Sequence, residues 1–108
     1  MTSAQVLPVR ERDFQRTVVA YARLRGWLVG FTWRSLHSPF GEPDLRLLRA
    51  GEPAGAGTPG RLVWAELKTE TGQPTAEQYE WLYLGHLAGI ECFLWRPSDW
   101  PEIEAVLA

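Results

Sequence analysis

Asp44 closes the stretch Gly41-Glu42-Pro43-Asp44, and after a loop Ala65-Glu66-Leu67-Lys68 supplies a second acid and an ammonium. Leu45-Arg46-Leu47-Leu48 and Leu62-Val63-Trp64-Ala65 are short apolar runs on either side of a Gly/Pro/Ala-rich gap, the pattern of a β-hairpin with a long loop. Asp44 then enters one strand, and Glu66 and Lys68 lie near the end of the other. Alternation along a strand puts Glu66 and Lys68 on one face, Ala65 and Leu67 on the opposite one. At ~3.3 Å of rise per residue, an aspartate beside a Glu-x-Lys pair gathers two hard oxygen ligands and an ammonium within about 7 Å. That set suits Mg²⁺, which takes carboxylates and keeps waters and phosphate oxygens. The same letters also fit a plain turn at Pro43-Asp44 with an exposed cross-strand pair at Glu66 and Lys68. Lys68 is the only lysine among eleven Lys and Arg residues. A compact ammonium, not a planar guanidinium fork, holds this one position.

The elements that must position these groups follow from periodicity. Arg10 to Arg25 is helical, with Phe14, Val18, Tyr21, Ala22 and Leu24 on one stripe and Gly26 as the stop. Glu11 and Gln15 lie on the edge of that buried face, where Glu11 also reads as a first-turn acid complementing the helix dipole. Trp27 to Trp33 reads as a first strand, and Arg34 to Gly41 as a polar loop in which Arg34 or His37 can reach a phosphate. Asp44–Arg49 and Arg61–Thr69 are the hairpin strands, joined by the Gly-rich loop Ala50–Gly60. Thr75-Ala76-Glu77-Gln78 has capping-box form and opens a helix to Ala88, with Tyr79, Leu82, Tyr83 and Leu87 offered to the core. Gln78 therefore has two readings, a cap for its own helix or a site residue. Glu91 to Arg96 is a fourth strand. Asp99-x-x-Glu102 reads as a further N-cap, with Pro101 in the first turn of a short helix carrying Ile103, Val106 and Leu107.

At 108 residues the chain is one domain, 1–108. A hydrophobic content of 45% with six Trp residues excludes a disordered chain. Cys92 is the sole cysteine, so no intrachain disulfide forms, and its apolar run suits a small core residue. No apolar run approaches membrane-spanning length and no signal pattern opens the chain, so a soluble, cytoplasmic protein is expected. The net charge of −2 runs against the basic balance of most nucleic-acid binders. Charge is uneven, however: Arg10, Arg12, Arg16, Arg23 and Arg25 crowd the first helix, and the acids concentrate after position 65.

The order αβββαβα, with Asp in the second strand and Glu-x-Lys in the third, resembles the PD-(D/E)XK nuclease superfamily, and more closely its VRR-NUC branch. The residues that carry the likeness are Glu11 and Gln15, Gly41-Glu42-Pro43-Asp44, Ala65-Glu66-Leu67-Lys68-Thr69-Glu70 with Gly72, Thr75-Ala76-Glu77-Gln78 running to Trp81-Leu82, and Trp95-Arg96-Pro97. They span about residues 10–107. Glu42 departs from the apolar residue often found before Pro-Asp in that branch.

The resemblance implies an α/β, restriction-endonuclease-like αβββαβ core with a short C-terminal helix, built on a central mixed four-stranded sheet flanked by helices. It implies that Asp44 and Glu66 hold Mg²⁺ or Mn²⁺ with the Leu67 carbonyl, and that Glu11 reaches the metal directly or through water. Lys68 would orient or deprotonate the attacking water, and Gln78 would position the lysine, water or phosphate. Arg10, Arg12, Arg16, Arg34 and His37 are the expected DNA contacts. The implied activity is that of a metal-dependent, structure-selective DNA endonuclease, a homodimer that resolves Holliday junctions, bacterial or phage-encoded and without a nucleotide cofactor. A flap or linear DNA nuclease is the near alternative, and a nuclease-like DNA-binding module without hydrolysis the more distant one.

Overall fold

The computed structural model of the chain describes residues 9–32, 40–53 and 57–108. Eight elements appear along it: α1 (Glu11–Leu24), β1 (Leu28–Phe31), β2 (Leu45–Arg49), β3 (Arg61–Leu67), α2 (Ala76–Leu87), β4 (Glu91–Trp95), a 3-10 turn (Pro97–Asp99) and α3 (Trp100–Leu107). The strands form one mixed sheet in the order β1-β2-β3-β4. β1 and β2 pair antiparallel with Leu28 opposite Leu48, and β2 and β3 antiparallel with Leu45 opposite Ala65. β3 and β4 run parallel, as the intervening α2 crossover requires. The fold is α/β, a four-stranded mixed sheet with three helices.

Alternation divides the sheet into two unlike faces. Leu45, Leu47, Val63, Ala65, Leu67 and Trp95 point to the side covered by α1 and α3 and meet Phe14, Val18, Val19, Ala22, Ile103 and Leu107 in a dry core. Each fully buried aliphatic side chain there stabilises the fold by about 1.5–3 kcal/mol. Trp27 anchors the far end of this layer. Its indole N–H donates to the Leu107 carbonyl at 3.0 Å, and the guanidinium groups of Arg49 and Arg61 stack on its ring at 4.3 and 5.1 Å. Those two arginines also donate to the carbonyls of Val106, Leu107 and Ala108, satisfying helix-end acceptors that have no intrahelical partner.

Four expected core residues and one expected cap are corrected. Leu24 is exposed and Val19 buried instead, because Leu24 lies about 200° around the helix from Ala22. Tyr79, Tyr83 and Leu87 of α2 are likewise exposed, and α2 meets the sheet through Gln78, Trp81, Leu82 and Gly85. α2 is apolar around much of its circumference, so its periodicity cannot name a buried side. Gly85 decides it, since a Cβ there would lie 2.8 Å from Trp64 and from Cys92 Sγ. Cys92 is half-buried beneath this contact. Asp99 makes no cap bond to α3; its carboxylate instead accepts from the Arg96 N–H at 2.8 Å, capping the 3-10 turn. No helix among the described residues is long and apolar enough to cross a membrane.

Candidate metal centre and basic cleft

Asp44 sits one residue before β2 and Lys68 one residue past the end of β3, so both lie just outside the strands expected to contain them. Pairing of Leu45 with Ala65 nevertheless brings Asp44 across to the end of β3. There the Leu67 N–H donates to Asp44 Oδ2 at 2.8 Å. That bond fixes the Asp44 carboxylate and holds the Leu67 peptide in the immediate surroundings of the site. The lead-in is tightly built. Gly41 has φ +84° and passes so close to α2 that a Cβ would lie 2.4 Å from the Glu77 carbonyl carbon.

Glu66 is wholly buried on the α2 face of β3. Gln78 Nε2 donates to its Oε1 at 2.9 Å. The same amide accepts from the Thr75 N–H at 2.8 Å through Oε1, while Thr75 Oγ1 accepts from the Gln78 N–H. Gln78 thus caps its own helix and also holds the Glu66 carboxylate. Glu66 Oε2 has no donor. Its neighbour is the Asp44 carboxyl, another acceptor, so a proton shared between the two is the only way they can bond to each other. Burial first, then the Asp44 charge and that bond, push Glu66 up to about 9, helped by Glu11 and opposed by the Lys68 ammonium. Glu11 and Lys68 therefore lie within electrostatic reach of Glu66, as expected for both.

Beside Asp44 opens a cleft of about 750 Å³. Glu11, Arg12, Gln15, Arg16 and Arg23 from α1 line it, with Phe31, Thr32 and Asp44. Three guanidinium groups and the carboxyl groups of Glu11 and Asp44 thus line one cleft. Arg12 and Arg16 fall where expected. Arg10 does not line the cleft, being the residue before the first turn of α1. Arg34 and His37 lie outside the described residues. Arg23 and Thr32 were not foreseen as site residues, though Arg12, Arg16 and Arg23 at i, i+4 and i+11 share a helix face that the spacing already contains. Glu42 points to Arg46 at 2.7 Å and is neutralised there.

The donor set fits a hard divalent cation. An acid buried with one oxygen lacking any donor, beside a second acid, is left short of positive charge. Among the described residues no group of three or more His, Cys, Asp or Glu side chains is gathered as a cage. Two carboxylates and a backbone carbonyl leave room for waters and substrate oxygens, the ligation Mg²⁺ prefers. Behind the site, Arg96 donates to the carbonyls of Thr69 and Gly72 at 2.5 and 2.6 Å and pins the turn that follows Lys68. No protein family, curated protein or solved structure matches the chain.

Proposed function

We propose that this chain is a metal-dependent DNA endonuclease of the PD-(D/E)XK type, in the VRR-NUC branch, acting as a homodimer on branched DNA such as Holliday junctions. The observation that carries this reading is the buried Glu66, held by Gln78 and placed against Asp44 with one oxygen lacking a donor. Mg²⁺ or Mn²⁺ would be held by Asp44, Glu66 and the Leu67 carbonyl, with Glu11 reaching it directly or through water. Bound there, such an ion supplies Lewis acidity toward a phosphate oxygen and lowers the pKa of water.

The chain's own groups supply the rest. Gln78 fixes the Glu66 carboxylate in one orientation, and the Leu67 N–H does the same for Asp44. Lys68, within electrostatic reach of Glu66, would offset charge on the nonbridging oxygens or take a proton from the attacking water. Arg12, Arg16 and Arg23 hold the phosphates that flank the scissile one.

The test uses purified protein with an end-labelled immobile four-way junction and a matched linear duplex, in Mg²⁺, in Mn²⁺ and in EDTA, beside Asp44→Asn and Lys68→Ala. Paired cuts near the branch are expected with either metal and none with EDTA. Each substitution should cost at least about 100-fold in rate, the scale of lost electrostatic stabilisation at a transition state. Equal cutting of the duplex would remove the preference for branches. Band shifts without cutting in either metal would leave a DNA-binding module.

A further inference from the structure

Among the described residues, helices cover only half of the α2 side of the sheet. α2 lies over β3 and β4, where Gly85 meets Trp64 and Cys92. No described helix lies above the β1–β2 half of that face. By the strand register, Leu28, Leu48 and Leu62 form one cross-strand row there. Leu28 is 70% exposed and Leu48 50%. Antiparallel strands often turn one side to water, but that side is then polar; a row of three leucines is not.

The missing cover is present elsewhere on the same chain. The stripe of α2 opposite Leu82 and Gly85 carries Tyr83 and Leu87, both 63% exposed, with Glu80 at its edge beside Leu87. Two strands at ~4.8 Å spacing make a strip about 10 Å wide, the width of one helix. We propose that a second copy of this chain covers the strip. Its α2 lies beside the first α2, and its Tyr83–Leu87 stripe packs on Leu28, Leu48 and Leu62 of the facing sheet.

The two-fold relation makes the exchange mutual, so each apolar surface finds the other kind. Where the two α2 helices run side by side, Leu84 and the groove lined by Phe40, Trp64 and Trp81 supply further apolar contact. The exposed parts of these side chains amount to several hundred Å², the scale of one partner's share, about 800 Å², in a stable interface. The arrangement deepens the homodimer of the preceding reading, and it does not need the nuclease chemistry to hold.

Light scattering on the size-fractionated chain, across the micromolar range, is the test. The wild-type protein and Leu24→Glu, on the opposite side of the molecule, should be dimers. Leu48→Glu and Leu87→Glu should be monomers with unchanged circular dichroism, their dimer constants at least tenfold weaker. In a Cys92→Ser background, a Leu48→Cys, Leu87→Cys chain should cross-link in pairs on oxidation, whereas Leu48→Cys or Leu87→Cys alone should not. A monomeric wild type, or glutamate variants that remain dimers, overturns the proposal. Junction cleavage read on the same samples separates the two readings: a dimer that cuts nothing removes the nuclease and keeps the interface, and a monomer that cuts does the reverse.

Discussion

The Glu66 carboxylate is favoured by the Gln78 amide and the Lys68 ammonium, and disfavoured by burial and by the acids beside it. With its pKa raised from the usual carboxyl value of 4.5 to about 9, the folded state keeps a proton that the unfolded state releases. For an acid shifted upward, that contribution is fully present below pH 4.5, declines as pH rises through the interval, and is gone above about 9. In EDTA the melting temperature should therefore fall from pH 5 to pH 9. Glu66→Gln, neutral at every pH, should flatten the fall and melt about 5 °C or more above the wild type at pH 8. A Glu66→Gln protein that melts lower at pH 8 would mean the carboxyl is not strained. Millimolar Mn²⁺ should raise the wild-type melting temperature by mass action and leave Glu66→Gln and Asp44→Asn nearly unmoved. Gln78→Ala removes both an N-terminal cap, about 1 kcal/mol, and the donor to Glu66. Gln78→Glu keeps the cap geometry and sets a third acid against Glu66, so it should be the less active of the two while melting closer to the wild type in EDTA at pH 5.

At the scale of elements, the tight places are glycines. Gly41→Ala requires both a positive φ in a residue with a Cβ and displacement of the α2 backbone at Glu77. It should cost more than about 1 kcal/mol of stability, with a larger proportional loss of cleavage, because it pushes Asp44 away from Glu66. Chemical denaturation and a rate measurement on the same preparation check both halves; equal losses would mean only the fold has suffered. Much of this layer was legible in the letters. The β2–β3 hairpin, α1 with its stop at Gly26, the Thr75–Gln78 box and the fourth strand each follow from a local rule. Leu24 and the exposed face of α2 did not, since an all-round apolar helix is oriented by where a neighbour permits close approach, and that neighbour, Trp64 over Gly85, is distant in sequence. Gln78 was ambiguous for a better reason: its amide has two ends, and both are used.

For the whole molecule, the net charge of −2 and a proposed polyanionic substrate are reconciled by segregation. The Arg12, Arg16 and Arg23 groups share one cleft, while acids such as Glu77 and Glu80 line the groove beside α2. On the proposed function, a surface so divided would attract a phosphate chain on one side and repel it on the other, orienting the encounter as well as strengthening it. The consequence is a modest but definite salt dependence. Each cleft arginine that neutralises one phosphate adds about 0.9 to the slope of log affinity against log salt concentration. Anisotropy titrations of a labelled junction with the non-cutting Asp44→Asn chain, from low to physiological salt, should give slopes reduced by about one for Arg16→Gln and for Arg23→Gln. Arg25→Gln, outside the cleft, should leave the slope as it is. Were all three substitutions to act alike, binding would be a diffuse response to total charge. A chain of negative net charge would then have weak affinity and no fixed path for DNA across Asp44 and Glu66.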